Sequence, residues 1–273
     1  MIRFEHVKFG YSEDRITIPD LSFHIPQGDF VALIGANGAG KSTISRLCNG
    51  LLRPLSGHVY LNGRDTLTTP TSELAKDVGF LFQNPDRQIC ENTVRDEIAF
   101  SMKVQGWDKQ KIDARVEEAL ETFSLKGEWF PFSRSRGERQ RIALAGVLVC
   151  EPKLLILDEP TTGLDYKECI KIMDYVTMLN REKGITVLMV SHDMELVQSY
   201  ARHVLVLSGG ELRGDGPVKE IMKNDPLLRS ARVLPAQIPM LALRFGDRFQ
   251  DVFTVEEMAA AIEKECGGKE TSV

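Results

Sequence analysis

The chain has 273 residues, a net charge of −5 at neutral pH, 42% hydrophobic residues and 27% charged residues. This length suits one large α/β domain or a domain with a small appendage, and the apolar fraction is sufficient for a buried core. The acidic balance disfavours a general polyanion binder but leaves room for a local basic patch. No apolar run approaches the roughly 20 residues that span a bilayer, so we expect any membrane role to come through a partner.

The cysteines and the first residues indicate the cellular compartment. The five cysteines are scattered, without a CxxC pair or paired histidine ligands. This pattern disfavours a zinc site or a disulfide framework and fits a reduced cytosolic compartment. Strand-like alternation begins at the first residues, so we expect no signal peptide.

Predicted strands and helices alternate along most of the chain. Residues 1–34 contain strand-like segments, the last of which, FVALIG, is an apolar run typical of a buried parallel strand. A helix is predicted from about Lys41 to Leu51, and residues 58–83 contain further strands around a short helical piece. Residues 84–150 are helical in pattern, because apolar residues recur at three- and four-residue steps in DKQKIDARVEEALETFSL.

The second half of the chain returns to strand–helix alternation. Helices are predicted at 166–183 and 193–202, and a β-hairpin is predicted around Gly209-Gly210. Such alternation predicts a doubly wound, mostly parallel sheet. The last part of the chain is less regular, and in it Thr254 and Glu257 form a candidate capping box for a final helix.

The segment GANGAGKS matches the phosphate-binding pattern G-x-x-x-x-G-K-[S/T], between a predicted buried strand and a predicted helix. Its glycines let backbone N–H groups curl around phosphates, and the helix N-terminus adds partial positive charge. We expect Lys41 to reach the β- and γ-phosphates and the Ser42 hydroxyl to bind Mg²⁺. The predicted nucleotide-binding residues are Gly35, Ala36, Asn37, Gly38, Ala39, Gly40, Lys41, Ser42 and Thr43. Taken alone, the motif does not separate a kinase, a GTPase and a motor.

Two carboxylates follow a second predicted buried strand, in LLILDEP. Asp158 suits the Mg²⁺ side of a nucleotide site, and Glu159 would point toward the γ-phosphate and polarise the attacking water. The alternative is a strand-terminal turn with two solvated acids. The long separation between Lys41 and Asp158 leaves room for a helical insertion and disfavours a compact GTPase.

These features together predict a P-loop NTPase of the α/β class. We expect a doubly wound, mostly parallel sheet with an N-terminal antiparallel β subdomain, a helical subdomain insertion and a short C-terminal appendage. Residues 1–83 and 151–225 would form the ATP-binding core and residues 84–150 the helical subdomain. Residues 226–273 would form the appendage, with dimerisation as one role.

In their order, the motifs resemble those of the ATP-binding-cassette family over roughly residues 2–225. The resemblance implies that Gln83 contacts Mg²⁺ and relays to a membrane partner, and that His192 contacts the γ-phosphate. It also implies that Tyr11 stacks on adenine and that Asp165, in TTGLD, belongs to the D-loop. The implied catalytic residues are Glu159, His192 and Gln83, and the implied Mg²⁺ ligands are Ser42, Gln83 and Asp158. Each has a structural alternative, such as a strand end for Gln83 or a half-buried core position for Tyr11.

A narrower resemblance lies in FQNPDRQI, TVRDEIAFSM and the tail VLPAQIPMLALRFG. These segments are similar to the ATPase subunits of energy-coupling-factor transporters and cobalt/nickel-type importers. The resemblance implies ATP and Mg²⁺ as cofactors and uptake of a vitamin or metal ion at the cytoplasmic face of the membrane. It also implies a second cassette, with a heterodimer favoured, and integral-membrane scaffold and substrate-binding subunits. The alternatives are another class of ABC importer, a soluble cassette acting on DNA or ribosomes, and a regulator without turnover.

The arginine-rich segment RSRGE, residues 134–138, occupies the position of the family's Leu-Ser-Gly-Gly-Gln signature, which faces the γ-phosphate bound on the other protomer. Ser135 and Gly137 match the signature, and Glu138 is a mild change. Arg134 and Arg136 are departures, with Arg134 in place of the leucine and Arg136 in place of a glycine. Ser135 and Glu138 also form a capping box for the following helix. The Arg136 side chain either turns aside or crowds the interface, and we expect a weakened composite site. A nucleic-acid patch is the alternative, but the acidic whole and the lack of interleaved aromatics disfavour it.

Overall fold

The computed structural model describes residues 1–12, 14–249 and 251–267. Its strands are β1 (Ile2–Ser12), β2 (Arg15–Ile25), β3 (Phe30–Gly35), β4 (Ser56–Leu61), β5 (Arg64–Asp65), β6 (Val78–Leu81), β7 (Leu154–Asp158), β8 (Thr186–Val190), β9 (His203–Ser208) and β10 (Glu211–Pro217). Its α-helices are α1 (Lys41–Cys48), α2 (Thr71–Leu74), α3 (Val94–Val104), α4 (Lys109–Thr122), α5 (Arg136–Leu148), α6 (Tyr166–Lys183), α7 (Met194–Tyr200), α8 (Val218–Lys223), α9 (Asp225–Ser230), α10 (Gln237–Phe245) and α11 (Val255–Gly267).

The central sheet carries its strands in the order β10-β9-β3-β8-β7-β6. Strands β9, β3, β8, β7 and β6 are parallel, and β10 is an antiparallel edge strand paired with β9. Every residue of β3, β7 and β8 is buried, as expected for strands covered on both faces. The carboxyl ends of these strands bring Gly35, Asp158 and Val190 to one edge of the sheet, where ligands of open α/β sheets bind.

A smaller antiparallel sheet, ordered β2-β1-β4-β5, covers one face of the central sheet. The side chains of Ile2 and Phe4 on β1 are buried in a cluster that also contains Leu33 of β3 and Ile156 of β7. Helix α1 contributes Ile44 to the same cluster. The N-terminal antiparallel sheet therefore packs directly on the strand that delivers the phosphate loop.

Helices α3, α4 and α5 lie in the chain between β6 and β7 and belong to the core on the other face. The predicted apolar stripe of α4 is buried there, with Ile112, Val116 and Leu120 at most 7% exposed. Helix α5 begins at Arg136, so the arginine-rich segment forms the start of a helix that is anchored in the core.

Helix bounds differ from the sequence-based prediction at α1. This helix ends at Cys48 rather than near Leu51, because Gly50 adopts a left-handed conformation with φ of 70°. A Cβ at Gly50 would lie 2.6 Å from a methyl carbon of Leu74, so the turn is also too close-packed for a larger residue. Helix α6 has the predicted bounds, and the hairpin around Gly209-Gly210 connects β9 and β10.

The C-terminal part is joined to the core at some points and has a small cluster of its own. Leu228, Ala236 and Phe253 are buried in the main core, whereas Ala242, Val252 and Met258 form a separate cluster. The predicted capping box is present, since Thr254 Oγ1 accepts from Glu257 N at 3.1 Å and Glu257 Oε2 accepts from Thr254 N at 3.1 Å. Residues 250 and 268–273 of the predicted appendage lie outside the described residues. Over the described ranges, none of the helices combines the length and apolarity needed to cross a bilayer.

Candidate nucleotide site

The phosphate loop connects the end of β3 to the start of α1. Gly40 caps α1 with φ of 104°, a conformation that favours glycine. A Cβ at Gly35 would lie 2.1 Å from the carbonyl oxygen of Leu207, so this position needs glycine for the close approach of two backbones. Lys41 Nζ lies over the loop and donates to the carbonyl oxygens of Gly35 at 2.7 Å and Ala36 at 3.1 Å. The loop therefore has the shape of a phosphate cradle with a cation across it.

A cavity of about 290 Å³ opens at this loop. The sequence-predicted residues in its lining are Tyr11, Asn37, Gly38, Gly40, Lys41, Ser42, Thr43, Gln83, Asp158 and Glu159. Arg15 and Thr17 of β2 also line it, and sequence reasoning missed them. The register of the first hairpin pairs Ser12 with Arg15, which brings Arg15 to the same end of the hairpin as Tyr11. The hairpin pattern is the signal that could have found them.

The ionisable groups in the cavity shift one another's pKa. Burial lowers the pKa of Lys41, while the nearby carboxylates of Glu159 and Asp158 oppose this shift. Burial raises the pKa of Asp158, and the charge of Glu159 adds to that effect, whereas a hydrogen bond from Ser42 opposes it. Two buried neighbouring carboxylates with one lysine make a site that is stabilised by a further cation.

The donor set fits Mg²⁺. Ser42, Gln83 and Asp158 offer hydroxyl, amide and carboxylate oxygens, which are the ligands of a hard cation. Within the part of the chain that the structure describes, no group of three or more His, Cys, Asp and Glu side chains is arranged to hold a metal. Mg²⁺ here would depend mainly on substrate phosphates together with one carboxylate, as is usual for this ion.

Glu159 and His192 form a contact that sequence reasoning did not predict. His192 Nδ1 lies 2.7 Å from Glu159 Oε2; the Glu159 side chain is 11% exposed and that of His192 75% exposed. Glu159 has φ of 54°, and its N–H donates to the carbonyl of Val190 at 2.9 Å. The pairing of β7 with β8 therefore brings the two residues together, and the strained backbone at Glu159 is held by that neighbouring strand.

Tyr11 lies at the wall of the cavity with more than half of its surface exposed. Its hydroxyl lies 3.1 Å from Thr43 Oγ1, and its ring packs edge-on against Phe9 with centroids 5.1 Å apart. An exposed aromatic face beside the phosphate loop is the geometry that stacking on a base requires. Adenine stacking by Tyr11 stays a prediction.

The signature-like segment forms the predicted capping box at the start of α5. Ser135 Oγ accepts from Glu138 N at 3.2 Å, and Glu138 Oε2 accepts from Ser135 N at 2.8 Å. The aliphatic part of Arg136 lies on the turn after Glu159, because a Cβ at Gly163 would be 3.2 Å from its Cγ and Cδ. The Arg136 side chain thus turns onto its own chain in this structure.

Asp165 caps α6, accepting from Glu168 N at 2.8 Å. The cavity lining drawn from the described residues includes neither Asp165 nor Ser135, Arg136, Gly137 or Glu138. The predicted site residues therefore fall into two groups, one that lines the cradle cavity and one that does not.

A second cavity, of about 700 Å³, lies beside the first. Gln83, Glu159 and His192 line one side of it, and residues 232–237 of the C-terminal part line the other. Sequence reasoning did not predict this proximity, because no local pattern links the tail to the end of β8.

A glycine cradle with a lysine, at the carboxyl edge of a parallel sheet and beside paired acids, defines a P-loop nucleoside triphosphatase. The family model for ABC transporters matches residues 18–162. The chain is 40% identical over 266 residues to an ABC transporter ATP-binding protein of Caldanaerobacter subterraneus subsp. tengcongensis, covering 97% of this chain and 46% of that protein. It is 36% identical to the energy-coupling factor transporter ATP-binding protein EcfA2 of Acetivibrio thermocellus, over 93% of this chain and 95% of that protein. The chain thus spans about half the length of the first relative and nearly all of the second.

Solved structures agree with this assignment. The fold superposes on cbiO1 of Clostridium perfringens, part of the ABC transporter complex cbiONQ, with a TM-score of 0.74 at 30% identity, over 90% of this chain and 96% of that chain. It superposes on a bacterial ABC transporter cassette solved as a dimer with a TM-score of 0.73 at 28% identity, over 80% of this chain and 99% of that chain. The chain belongs to the ABC transporter family, whose ATP-binding cassettes hydrolyse ATP. The predicted P-loop α/β fold is confirmed.

Proposed function

We propose that the chain is the ATP-hydrolysing subunit of an energy-coupling-factor type importer that takes up a vitamin or a metal ion through membrane subunits. The similarity to EcfA2 over 95% of that protein supports this subtype, as does the likeness to cbiO1. The observation that carries the enzymatic part is the cradle of Lys41 beside the contact of Glu159 with His192. Together these residues can bind a triphosphate and hold a base next to its terminal phosphate.

Each site residue has a proposed role in hydrolysis. Lys41 would leave the carbonyl oxygens that it now contacts and bind the β- and γ-phosphates, with the loop amides around them. Ser42, Gln83 and Asp158 would hold Mg²⁺, which neutralises charge between those phosphates. Glu159 would accept a hydrogen bond from the attacking water, and His192 would orient that carboxylate and face the γ-phosphate. Tyr11 would stack on adenine.

The working unit is proposed to be a dimer, because the signature-like residues do not line the cradle cavity of their own chain. Ser135 to Glu138 would face the nucleotide that a second cassette binds, through the N-terminus of α5. Arg136 in place of glycine makes this chain a poor donor of that half-site. A heterodimer would confine the weak half-site to one nucleotide, so we favour a related partner with an intact signature.

The C-terminal appendage offers further dimer contacts. Four large apolar side chains on its helices are exposed, by 38% to 65%: Leu241, Phe245, Val255 and Ile262. Apolar surface of this kind marks protein–protein contacts when it is contiguous. We include dimerisation by the appendage in the proposal. Peripheral association with the cytoplasmic face of the membrane, through the partner subunits, belongs to the same proposal.

Affinity purification of the full chain from membranes in mild detergent tests the subtype. The expected result is co-purification of a related cassette and of integral-membrane chains, identified by mass spectrometry, with an ATPase activity in the eluate. The matched control is Lys41→Ala, which should keep the partners and lose the activity. Recovery of the chain with ribosomes or DNA instead of membrane chains would contradict the proposal.

A further inference from the structure

Helix α7 connects the catalytic edge of the sheet to the C-terminal appendage. It starts at Met194, directly after His192 and Asp193. Asp193 Oδ1 accepts from the backbone N–H groups of Glu195 at 3.0 Å and Leu196 at 3.3 Å, and Asp193 N donates to Ser191 Oγ at 3.0 Å. His192 is thus held between a strand end and a capped helix, so a displacement of α7 displaces His192.

Two polar side chains of α7 bind the backbone of the appendage. Glu195 Oε1 accepts from Gln237 N at 2.7 Å. Gln237 is the first residue of α10, whose N-cap residue, Ala236, supplies no side-chain cap. Glu195 therefore supplies the acceptor that this helix start needs, and its negative charge suits the N-terminal end of the helix dipole.

The second contact lies one turn further along α7. Gln198 Nε2 donates to the carbonyl oxygen of Phe253, in the segment before α11. Among the described residues, Gln198 Oε1 is buried without a hydrogen-bond partner, so the contact with Phe253 is what orients this amide. Both contacts therefore join α7 to backbone atoms of the appendage, one at the start of α10 and one in the segment just before α11.

Apolar packing makes the connection rigid on both sides. Leu196 and Val197 of α7 belong to the main core, and so do Ala236 and Phe253 of the appendage. The cavity of about 700 Å³ separates residues 232–237 from His192 itself, so α7 provides the polar route between the appendage and the catalytic edge. A core contact on each side of the two hydrogen bonds limits how far either element can shift alone.

We propose that Glu195 and Gln198 are positioning residues through which the C-terminal appendage holds α7 and keeps His192 against Glu159. The proposal rests on the catalytic role proposed for His192. It assigns the appendage a part in hydrolysis within one chain, in addition to dimerisation. A rearrangement of the appendage would then change the position of His192, without contact between the appendage and the nucleotide.

The variant Glu195→Ala with Gln198→Glu tests this directly in the full chain. Gln198→Glu has nearly the same shape but replaces the donor with an acceptor that faces the Phe253 carbonyl. Hydrogen exchange of the nucleotide-free chain should show protection of the amides of residues 192–197 reduced by roughly 25-fold, since two bonds are lost and each is worth about a factor of five. In the assembled complex, kcat for ATP should fall by about the same factor while KM stays unchanged.

Two further variants separate positioning from general destabilisation. Glu195→Gln alone keeps an oxygen acceptor for Gln237 N and should leave both protection and kcat near their wild-type values. Glu265→Gln weakens the ion pair with Arg248 inside the appendage and should change neither measurement. The single substitutions Glu195→Ala and Gln198→Glu serve if the double variant does not fold.

Unchanged protection at residues 192–197, with faster exchange only at residues 237–245 and 253–258, would overturn the proposal. Lost protection with an unchanged kcat would overturn it as well. Failure of the proposed importer function would give a different result. The wild-type complex would then show no ATPase activity, while the loss of protection at residues 192–197 in the variant would still be measurable in the nucleotide-free chain.

Discussion

Replacement of Arg136 by glycine should raise the ATPase rate of the site that uses this chain's signature-like turn. In the structure, Arg136 is the first residue of α5, and its aliphatic part lies on Gly163. Arg136 nevertheless remains exposed, and glycine at this position removes that exposed part from the surface that would meet a partner's nucleotide. It also lets the backbone at the start of the helix approach phosphate more closely.

The size of the effect follows from one recovered contact. A hydrogen bond from backbone N–H to a charged group is worth roughly 1.5–3 kcal/mol. If the contact is made mainly in the transition state, the rate should rise by about 10- to 150-fold. Glycine in a helix costs about 1 kcal/mol of stability, so Tm should fall slightly while the rate rises. A homodimer of this chain should gain at both sites, and a heterodimer at one.

Phosphate release at saturating ATP is the assay, on the purified chain and on the assembled complex. Arg136→Ala is the matched control, because it removes the guanidinium but keeps a Cβ near the phosphate position. Arg136→Gly with Arg134→Leu completes the restoration, because it also returns the signature's leucine to position 134. In the structure, Arg134 stacks on Trp129 with its guanidinium carbon 5.1 Å from the ring centre. A wild-type chain that already hydrolyses ATP as fast as the restored variants would refute the weakened-site argument and the preference for a heterodimer.

Three other outcomes are expected. Lys41→Ala should weaken ATP binding by about 10- to 150-fold, measured by equilibrium titration, because one charge-assisted contact of roughly 1.5–3 kcal/mol is lost. An unchanged affinity would contradict the phosphate-binding role of Lys41. If the acidic segment after Gln83 receives a basic helix of the membrane scaffold, Glu91→Lys should uncouple transport in reconstituted vesicles while basal ATPase activity remains, whereas Glu97→Lys should unfold the helical region. Normal transport by Glu91→Lys would exclude this docking surface. The hydrogen bond from Ser135 N lowers the pKa of Glu138. The stability that this bond contributes is present above the ordinary carboxyl pKa and is lost as pH falls through the lowered value. Glu138→Gln should remove this part of the pH dependence of Tm, and an unchanged profile would contradict the assignment.

The acidic segment after Gln83 shows why a sequence pattern alone does not define a docking surface. Its four acids, Asp86, Glu91, Asp96 and Glu97, suggest a groove for a basic helix of the membrane scaffold. In the structure, Asp86 pairs with Arg139 at 2.7 Å and Asp96 with Lys103 at 2.8 Å. Glu97 is buried and accepts from the backbone N–H groups of Cys90 and Glu91. Three of the four carboxylates are thus engaged within the chain, which is why the coupling test uses Glu91.

Local chemistry made some elements predictable. Helix α6 is predicted at its observed bounds because Asp165 caps its start and Gly184, with φ of 68°, ends it. The phosphate loop is predictable because its glycines, Lys41 and the buried strand before it are contiguous in the sequence. The capping box of Ser135 and Glu138 is likewise a pattern within four residues.

Contacts between distant segments were not predictable from pattern. The pairing of Glu159 with His192 depends on the adjacency of β7 and β8, and the contact of Arg136 with Gly163 depends on how α5 lies against the turn after β7. The hydrogen bond from Gln237 to Glu195 joins residues 42 positions apart. Periodicity and motifs report local conformation and burial, whereas these contacts are set by the packing of whole elements.

Single-turnover hydrolysis by the assembled complex, comparing wild type with Glu159→Gln, tests the central claim most directly. Glutamine keeps the size of the side chain but cannot act as a general base toward water. The account predicts that ATP still binds with unchanged affinity and traps a closed dimer, while phosphate release falls by roughly 100-fold or more. Hydrolysis by Glu159→Gln at the wild-type rate would contradict the assignment of the catalytic carboxylate.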